Sequence, residues 1–395
     1  MAPRDLDGYL RQRAAGTLSR RSFMAAAGLT GTAAWLAACG GGATQAPSAA
    51  ATSGPTAAPT GTALAGGETE FYMYNWSGYI AETNIEEFKK RFSLANFVYD
   101  TYANNEELIA KLQGGASGYD IAAPTAEYVP GMVEEGFLQK LDLSRIPNVK
   151  YINDTYKNLW WDPTNEYQVP KDYGTTGILY RGKLVSTPPT SWAQFYEMAK
   201  GEASGKTVMV DSMGDVFVFP LKLLGYSLNS VDDNELNEAR DILLDVAPHL
   251  LALDSDTYQD KMASEEASLV LGWTGPLLDL RANPDTADSA YSVPSEGTLF
   301  WMDTWVMMAE APHPNLSYEW LNFIHEPEIQ GAETNYNGYA TCSDEAKKYV
   351  DQALLDDPSI FPPADVLPSL EGAQDTSGNQ HRIDIWEEFK SKIGG

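Results

Sequence analysis

The sequence predicts an α/β fold, and three observations favour it. Short apolar runs alternate with helical patterns from residue 68 onward, which is typical of α/β architecture. Aromatic or acidic residues directly follow several of these runs, at the edge where open α/β sheets expose their ligand pockets. The chain has 395 residues, which is too long for one ordinary domain and suits two.

The predicted elements follow from short apolar runs and from residue types that cap helices. The predicted strands are Glu70–Trp76, Asn96–Tyr102, Asp120–Ala123, Tyr167–Pro170, Gly177–Tyr180, Thr207–Asp211 and Leu269–Trp273. The predicted helices begin at Thr83-Asn84, at Asn104-Asn105, at Val129, at Ser191-Trp192, after Asp211, at Asp232-Asp233 and after Trp273, with later helices at Ser317–His325 and Ile383–Ile393. Tyr167–Pro170 and Gly177–Tyr180 are expected to be two separate short strands.

Charge and composition exclude one large class of partners. Acids outnumber bases by 55 to 27, and the net charge is −28. A protein that binds nucleic acid needs a basic face, so nucleic acid is not an expected partner. The acidity fits a cationic ligand or a salt-rich habitat, and charge alone does not choose between them.

The first 67 residues predict export and attachment to a membrane. Arg20-Arg21 precede an apolar run that is shorter than the roughly 20 residues of a membrane span, which predicts a Tat-type signal peptide over residues 1–38. Leu36-Ala37-Ala38-Cys39 resembles a lipobox, which implies lipidation of Cys39. The alternative is an ordinary signal peptide with an incidental cysteine. Residues 39–67 are rich in Gly, Ala, Thr and Pro and predict a flexible tether.

The run from Gly297 to Trp305 is the strongest candidate for a binding site. In a strand, alternate side chains share a face, so Trp301, Asp303 and Trp305 are predicted to point the same way. An acid between two indoles suits an organic cation, because aromatic faces attract positive charge. The alternative is a strand end whose acid caps a loop beside core tryptophans.

Several short motifs, in order between residues 74 and 339, resemble one known family. They are Tyr74-Asn75-Trp76-Ser77-Gly78-Tyr79-Ile80, Ser191-Trp192-Ala193, Leu224-Gly225-Tyr226, Gly272-Trp273-Thr274-Gly275, Phe300-Trp301-Met302-Asp303 and Asn337-Gly338-Tyr339. In these motifs the chain resembles the spermidine/putrescine-binding receptors of bacterial ABC importers. The resemblance implies a two-lobe periplasmic binding protein fold of type II with a ligand cleft between the lobes. It places lobe 1 at residues 68–176 plus 297–346 and lobe 2 at residues 177–296 plus 347–395.

The resemblance also implies roles for individual residues. The implied ligand-binding set is Trp76, Tyr79, Thr125, Glu127, Asp215, Trp273, Trp301, Asp303 and Tyr339, and a further glutamine of the family falls around Gln374. Trp301 would stack on the methylene chain, Asp303 would bind an ammonium group, and Asp215 would pair with a terminal ammonium group. Ser212 replaces an acid of the family and Glu127 replaces a tyrosine, which leaves the exact polyamine open. The implied partners are a polyamine, an ABC permease with its ATPase, and a membrane through the lipid anchor; a monomer without cofactor or metal is expected.

Other functions and other roles for these residues stay open at this point. An extracellular glycoside hydrolase is a rival, although the four histidines form no HExxH pattern and no Gly-x-Ser-x-Gly motif is present. A receptor for another solute, such as a quaternary amine, is a second rival. A metal ion is a further possible ligand of an acidic cleft, but Asp254-Ser255-Asp256 lacks the Gly and Glu of a calcium loop. Trp76 and Trp273 could be core residues, Tyr339 could be simple packing, and Asp215 could cap a helix.

Overall fold

The computed structural model describes residues 67–394. The predicted Tat-type signal peptide, the lipidation site Cys39 and the tether up to residue 66 lie outside the described residues. Among residues 67–394, no helix combines the length and the apolar character that crossing a membrane requires.

Strands and helices alternate along the described chain, as the α/β prediction requires. The strands are β1 Glu70–Trp76, β2 Asn96–Tyr102, β3 Ile121–Ala122, β4 Gln168–Arg181, β5 Thr207–Met209, β6 Leu250–Leu253, β7 Leu269–Trp273, β8 Ser289–Ser292, β9 Thr298–Met307, β10 Ala340–Thr341 and β11 Leu370–Gly372. The α-helices are α1 Glu82–Phe92, α2 Asn105–Gln113, α3 Val129–Glu134, α4 Trp192–Lys200, α5 Met213–Leu223, α6 Asp233–Val246, α7 Tyr258–Ala263, α8 Gly275–Ala282, α9 Pro314–Ile324, α10 Pro327–Asn337, α11 Gln352–Leu355 and α12 Gln380–Lys390.

Strand β4 joins two sheets. The strand order is β2-β1-β3-β9-β4-β7-β5-β6, with β8 and β10 also paired to β4 and β11 paired to β9. The first half of β4, to Thr175, pairs antiparallel with β9, and the second half, from Thr176, pairs antiparallel with β7. We call the part built on β1, β2, β3, β9 and the first half of β4 the first lobe, and the part built on β5 to β8 and the second half of β4 the second lobe.

Each lobe has its own apolar core. In the first lobe, one cluster centred on Phe71, Phe88 and Trp320 and a second centred on Tyr74 and Leu108 are buried. In the second lobe, a large cluster buries the inner faces of α4, α5 and α6 against the sheet. Burial of apolar area is the main favourable term in folding, so two separate cores can support two lobes.

Several predicted helix starts are confirmed by their caps. The side chain of Asn104 accepts a hydrogen bond from the Glu107 amide, and that of Ser191 accepts one from the Gln194 amide. Asp232 caps the long helix α6 in the same way. These oxygens satisfy amide groups that have no partner within the helix.

Two predictions about elements were wrong, and one helix was missed. Helix α1 begins at Glu82 after Ala81, and the expected cap residue Asn84 is instead buried and donates to Glu333 at 2.6 Å. The two expected short strands are one continuous strand, β4, because both of its halves are buried and paired. Helix α10 was not predicted, since its sequence has little apolar periodicity.

Candidate functional site

A cleft of about 1820 Å³ is lined by residues from both lobes. The sequence-predicted residues all lie in its walls: Trp76, Tyr79, Thr125, Glu127, Asp215, Trp273, Trp301, Asp303 and Tyr339. Gln374 lines it as well. They come from the ends of β1 and β7, from β9, and from the loops and first helical turns that follow strands, while Tyr339 lies in the short loop between α10 and β10. The topology therefore brings together side chains that are more than 200 residues apart in sequence.

Two tryptophans meet across the cleft. Trp76 ends β1 in the first lobe and Trp273 ends β7 in the second, and their ring centroids are 5.9 Å apart at an interplanar angle of 73°. The indole nitrogen of Trp76 donates to the Ala123 carbonyl at 2.9 Å, which fixes the ring. Both side chains are half-buried and line the cleft, and both also pack against the apolar core of the second lobe.

Trp301 and Tyr339 form a second aromatic wall, and each packs on a glycine. Their ring centroids are 5.0 Å apart at 82°. A Cβ atom at Gly174 would lie 2.4 Å from Cζ2 of Trp301, and one at Gly275 would lie 2.6 Å from the Tyr339 hydroxyl. Glycine is required at both positions because any side chain would displace a ring of the cleft.

Trp305 does not belong to the cleft. It follows the alternation of β9, but its ring lies 5.7 Å from that of Trp320 in the core of the first lobe. Helix α9 supplies Trp320 and covers this end of the strand. The expected arrangement of Asp303 between two ligand-facing indoles is therefore wrong, because the sheet extends beyond the cleft.

Asp303 belongs to a buried polar group at the cleft floor, which we call the Asp303 centre: Asp303 and Tyr79, which line the cleft, and Asp172 and Lys171 behind them. The Tyr79 hydroxyl lies 2.6 Å from Oδ2 of Asp303 and 2.5 Å from Oδ1 of Asp172. Lys171 donates from Nζ to Oδ2 of Asp172 at 2.5 Å. Burial and the neighbouring Asp172 carboxylate raise the pKa of Asp303, while the Tyr79 hydrogen bond and the Lys171 charge oppose them.

Asp215 belongs to a second group, which we call the Asp215 centre: Asp215, Ser212, Thr176 and Trp273. Ser212 donates to Oδ2 of Asp215 at 2.6 Å, Trp273 donates from its indole nitrogen to Oδ1 at 3.0 Å, and the Thr176 hydroxyl also donates to Oδ1. Burial raises the pKa of Asp215, and these three donors oppose it. Ser212 occupies the N-cap of α5, so the alternative that Asp215 caps this helix is wrong.

Glu127 and Thr125 come from the turn that follows β3. Burial in the cleft, reinforced by the charges of Asp215 and Asp303, raises the pKa of Glu127 to about 8. The Thr125 hydroxyl accepts from the Asn105 amide group at 2.9 Å, and its backbone forms a bridge with Asp303. Asn105, at the start of α2, therefore holds the segment that carries both residues.

Sequence analysis missed Lys171, Asp172 and Glu333. Glu333 on α10 accepts from Asn84 at 2.6 Å, and burial raises its pKa to about 7. All three are buried, although charged residues are rarely buried without a partner. For Lys171 and Asp172, the sequence signal was a Lys-Asp pair between the apolar residues Val169-Pro170 and Tyr173; Glu333 has no comparable signal.

The cleft offers acids at fixed points between aromatic walls. The pKa values of Asp303, Asp215 and Glu127 are all raised, because burial leaves their negative charge without full compensation. A bound cation would supply that compensation, and the ring faces of Trp301, Trp76 and Trp273 would contact its apolar part. No three His, Cys, Asp or Glu side chains among residues 67–394 form a group that could hold a metal ion.

Comparisons with known proteins place these features in a family. Residues 83–362 match the family described as bacterial extracellular solute-binding protein. The spermidine/putrescine-binding periplasmic protein of Escherichia coli is 30% identical over 331 residues, covering 83% of this chain and 92% of that protein. The putrescine/agmatine-binding protein of Pseudomonas aeruginosa is 30% identical over 317 residues, covering 77% and 86%.

A likeness among solved structures confirms the predicted fold. The spermidine/putrescine ABC transporter substrate-binding protein of Streptococcus pneumoniae matches with a TM-score of 0.69 and 26% identity, over 82% of this chain and 99% of that one. The fold is that of two-lobe periplasmic binding proteins of type II. The chain thus belongs to the family of bacterial extracellular solute-binding proteins.

Proposed function

We propose that the protein is an extracytoplasmic receptor that captures a polyamine, putrescine or spermidine, between its two lobes and delivers it to an ABC permease and its ATPase. The observation that carries the proposal is the placement of three acids, Asp303, Asp215 and Glu127, between aromatic walls in one cleft. The names of the relatives in Escherichia coli and Pseudomonas aeruginosa support it.

The chemistry of a polyamine matches the two kinds of wall. A polyamine is a flexible apolar chain with an ammonium group every few carbons. Its methylenes suit the faces of Trp301, Trp76 and Trp273, and its ammonium groups suit the carboxylates of Asp303 and Asp215. When both lobes contact the ligand, water is excluded and each ion pair becomes stronger.

The remaining parts of the proposal concern delivery. Export through the Tat route and a lipid on Cys39 would hold a monomeric receptor at the outer face of the cytoplasmic membrane, and residues 39–67 would give it reach. We propose lobe limits of 68–176 plus 297–346 and 177–296 plus 347–395, and the change of strand partner along β4 at Thr175–Thr176 supports the first crossing between the lobes. We propose binding without turnover, since a receptor needs no catalytic group.

Calorimetric titration tests the proposal. The mature protein is titrated with putrescine, spermidine, betaine and glutamate, and a chromogenic glycoside is offered as substrate. Saturable heat with a polyamine, none with glutamate and no glycoside turnover are expected. Tighter binding of betaine than of either polyamine would favour the quaternary-amine alternative, and glycoside turnover would favour the hydrolase. No heat with either polyamine would overturn the proposal.

A further inference from the structure

Lys171 occupies an irregular position in β4. The antiparallel register pairs Pro170 with Thr304 and then Asp172 with Asp303, so Lys171 has no partner on β9 and forms a β-bulge. A bulge places an extra residue in one strand and re-aims its side chain, and such irregularities are common beside functional sites. Here the bulge allows Lys171 and Asp172, although adjacent in sequence, to meet through their side chains.

The bulge also places two carboxylates opposite each other. Asp172 and Asp303 are cross-strand partners, and like charges in such a pair are destabilising. The Tyr79 hydroxyl lies between them, 2.5 Å from Asp172 and 2.6 Å from Asp303. Burial raises the pKa of Tyr79 well above its usual value, so the hydroxyl keeps its single proton and can donate to one acid at a time.

Lys171 contacts two members of this group. Its ammonium group pairs with Asp172 at 2.5 Å, and it lies 3.2 Å from the centre of the Tyr79 ring. The side chains of Lys171 and Asp172 are 4% and 6% exposed, so water does not screen the pair. The charge of Lys171 therefore acts on Asp172 directly and on Asp303 across the Tyr79 ring.

We propose that Lys171 is a positioning residue for ligand binding: it neutralises Asp172, so that Tyr79 donates to Asp303 and Asp303 alone meets the ligand as an ionised carboxylate. The proposal rests on the proposed function, since the ligand's ammonium group is the partner that Asp303 awaits. In this arrangement the ammonium group of Lys171 neutralises Asp172, and an ammonium group of the ligand neutralises Asp303.

Other titratable groups face this pair from the elements packed around it. They are Tyr79 from the loop after β1, Tyr102 from β2, Glu127 from the turn after β3, Glu333 from α10, and Tyr339 and Cys342 from the segment around β10. Asn337 donates to Asp172 at 3.2 Å, and His325 bonds to the Pro170 carbonyl beside the bulge. Lys171 supplies the positive charge among these groups, so its removal makes the surroundings of the two carboxylates more negative and favours proton uptake by them.

The test compares Lys171→Met, Asp172→Asn and the double variant. The affinity for putrescine is measured by calorimetry across a pH series, and the midpoint of its loss at acidic pH reports proton uptake by the Asp172–Asp303 pair. Lys171→Met should raise this midpoint by about one pH unit, as expected for loss of a nearby opposite charge. Asp172→Asn should lower it, and the double variant should return it close to the wild-type value.

Lys111→Met is the matched control. Lys111 also pairs with an aspartate, Asp100 at 2.7 Å, and lies over a tyrosine ring, that of Tyr74 at 4.1 Å, but neither Lys111 nor Asp100 belongs to the Asp303 centre or lines the cleft. Its removal should leave the midpoint unchanged. If Lys171 and Asp172 formed only a structural ion pair, Lys171→Met and Asp172→Asn would both lower the stability of the protein. They would not move the pH midpoint of binding in opposite directions.

A second measurement separates this inference from the proposed function. The carboxyl carbon of Asp303, labelled with ¹³C and assigned through Asp303→Asn, is titrated in the ligand-free protein and its variants. If no polyamine binds the wild type, the proposed function fails, and this titration still decides the role of Lys171. An unchanged midpoint in Asp172→Asn, or shifts in the same direction for Lys171→Met and Asp172→Asn, would overturn the inference.

Discussion

The Asp303 centre and the Asp215 centre hold a carboxylate in two different ways. At Asp303 the surroundings include a second acid, a shared hydroxyl and a buried ammonium group. At Asp215 the three side-chain donors, from Ser212, Thr176 and Trp273, are all neutral. Asp215 also lies in the first turn of α5, where the helix dipole favours a negative charge.

The two centres keep a negative charge available for a ligand by different means. Neutral donors hold Asp215 in place and leave its full charge for the ligand, whereas Asp303 lies between paired strands and cannot shift. The charge of Asp215 helps to raise the pKa of Glu127, so the two side chains lie close together. The Asp215 end therefore has a second acid that faces the cleft. We therefore expect the Asp303 end to tolerate substitution less well.

The largest effect is expected from Asp303→Asn. Loss of a desolvated charged partner should weaken polyamine binding by about 3 kcal/mol, roughly a hundred-fold, as measured by calorimetry. Asp154→Asn is the control, since that side chain is 97% exposed and pairs with a neighbouring lysine. Affinity within a factor of two of wild type for Asp303→Asn would mean that the ligand lies elsewhere.

A smaller effect is expected from Asp215→Asn. The neutral donors remain and Glu127 can take over part of the interaction, so we expect a loss of about 2 kcal/mol, roughly thirty-fold. The double variant with Glu127→Gln should then lose more than the two single changes together, and a titration of all three measures this coupling. Strict additivity would show that Glu127 and Asp215 act independently.

Gly174→Ala tests the aromatic wall behind the Asp303 centre. The added methyl group would lie 2.4 Å from the Trp301 ring and force it into the cleft. We expect affinity and thermal stability each to fall by about 1 to 2 kcal/mol, as in overpacked cores. Gly214→Ala is the control in the same cleft, because nothing lies within 4 Å of its added methyl group. Equal effects of the two changes would contradict the proposed contact.

The smallest effect is a pH dependence that Glu127 introduces. A carboxyl group with a pKa of about 8 in the ligand-free protein must release its proton when it binds an ammonium group. Affinity should therefore rise with pH, by about five-fold between pH 7 and pH 8, and Glu127→Gln should flatten this part of the profile. The same group should make the ligand-free protein less stable as pH rises from about 4.5 to about 8, because the folded state retains a proton that the unfolded state has lost. Affinity that falls over this range would contradict the assignment.

Local patterns predicted much of the fold. β1, β2 and β7 have the predicted bounds, because each is a short run rich in apolar and aromatic residues. β4 escaped prediction as one strand because Pro170, Gly174 and Gly177 resemble turn signals, whereas here they serve a bulge and close ring packing. Burial and pairing along the whole of β4 make it one strand, which local sequence preference does not indicate.

The residue types of the site were predictable from the sequence, but the contacts between these residues were not. Trp301 and Asp303 stand two apart on one strand, so alternation alone predicts that they share a face. Asp172 meets Asp303 only through the register of two strands separated by more than 100 residues, and a bulge sets that register. No pattern within a short window contains this information, which is why Lys171 and Asp172 were missed.

The contact between Trp76 and Trp273 should make the intrinsic fluorescence of the protein sensitive to the distance between its lobes. One indole belongs to each lobe, and their centroids are 5.9 Å apart, so any separation of the lobes pulls the two fluorophores apart and changes their shared environment. Tryptophan emission should therefore follow opening and closing in solution without a label. A receptor whose occupancy can be followed by its own fluorescence lends itself to rapid-mixing kinetics and to use as a sensor.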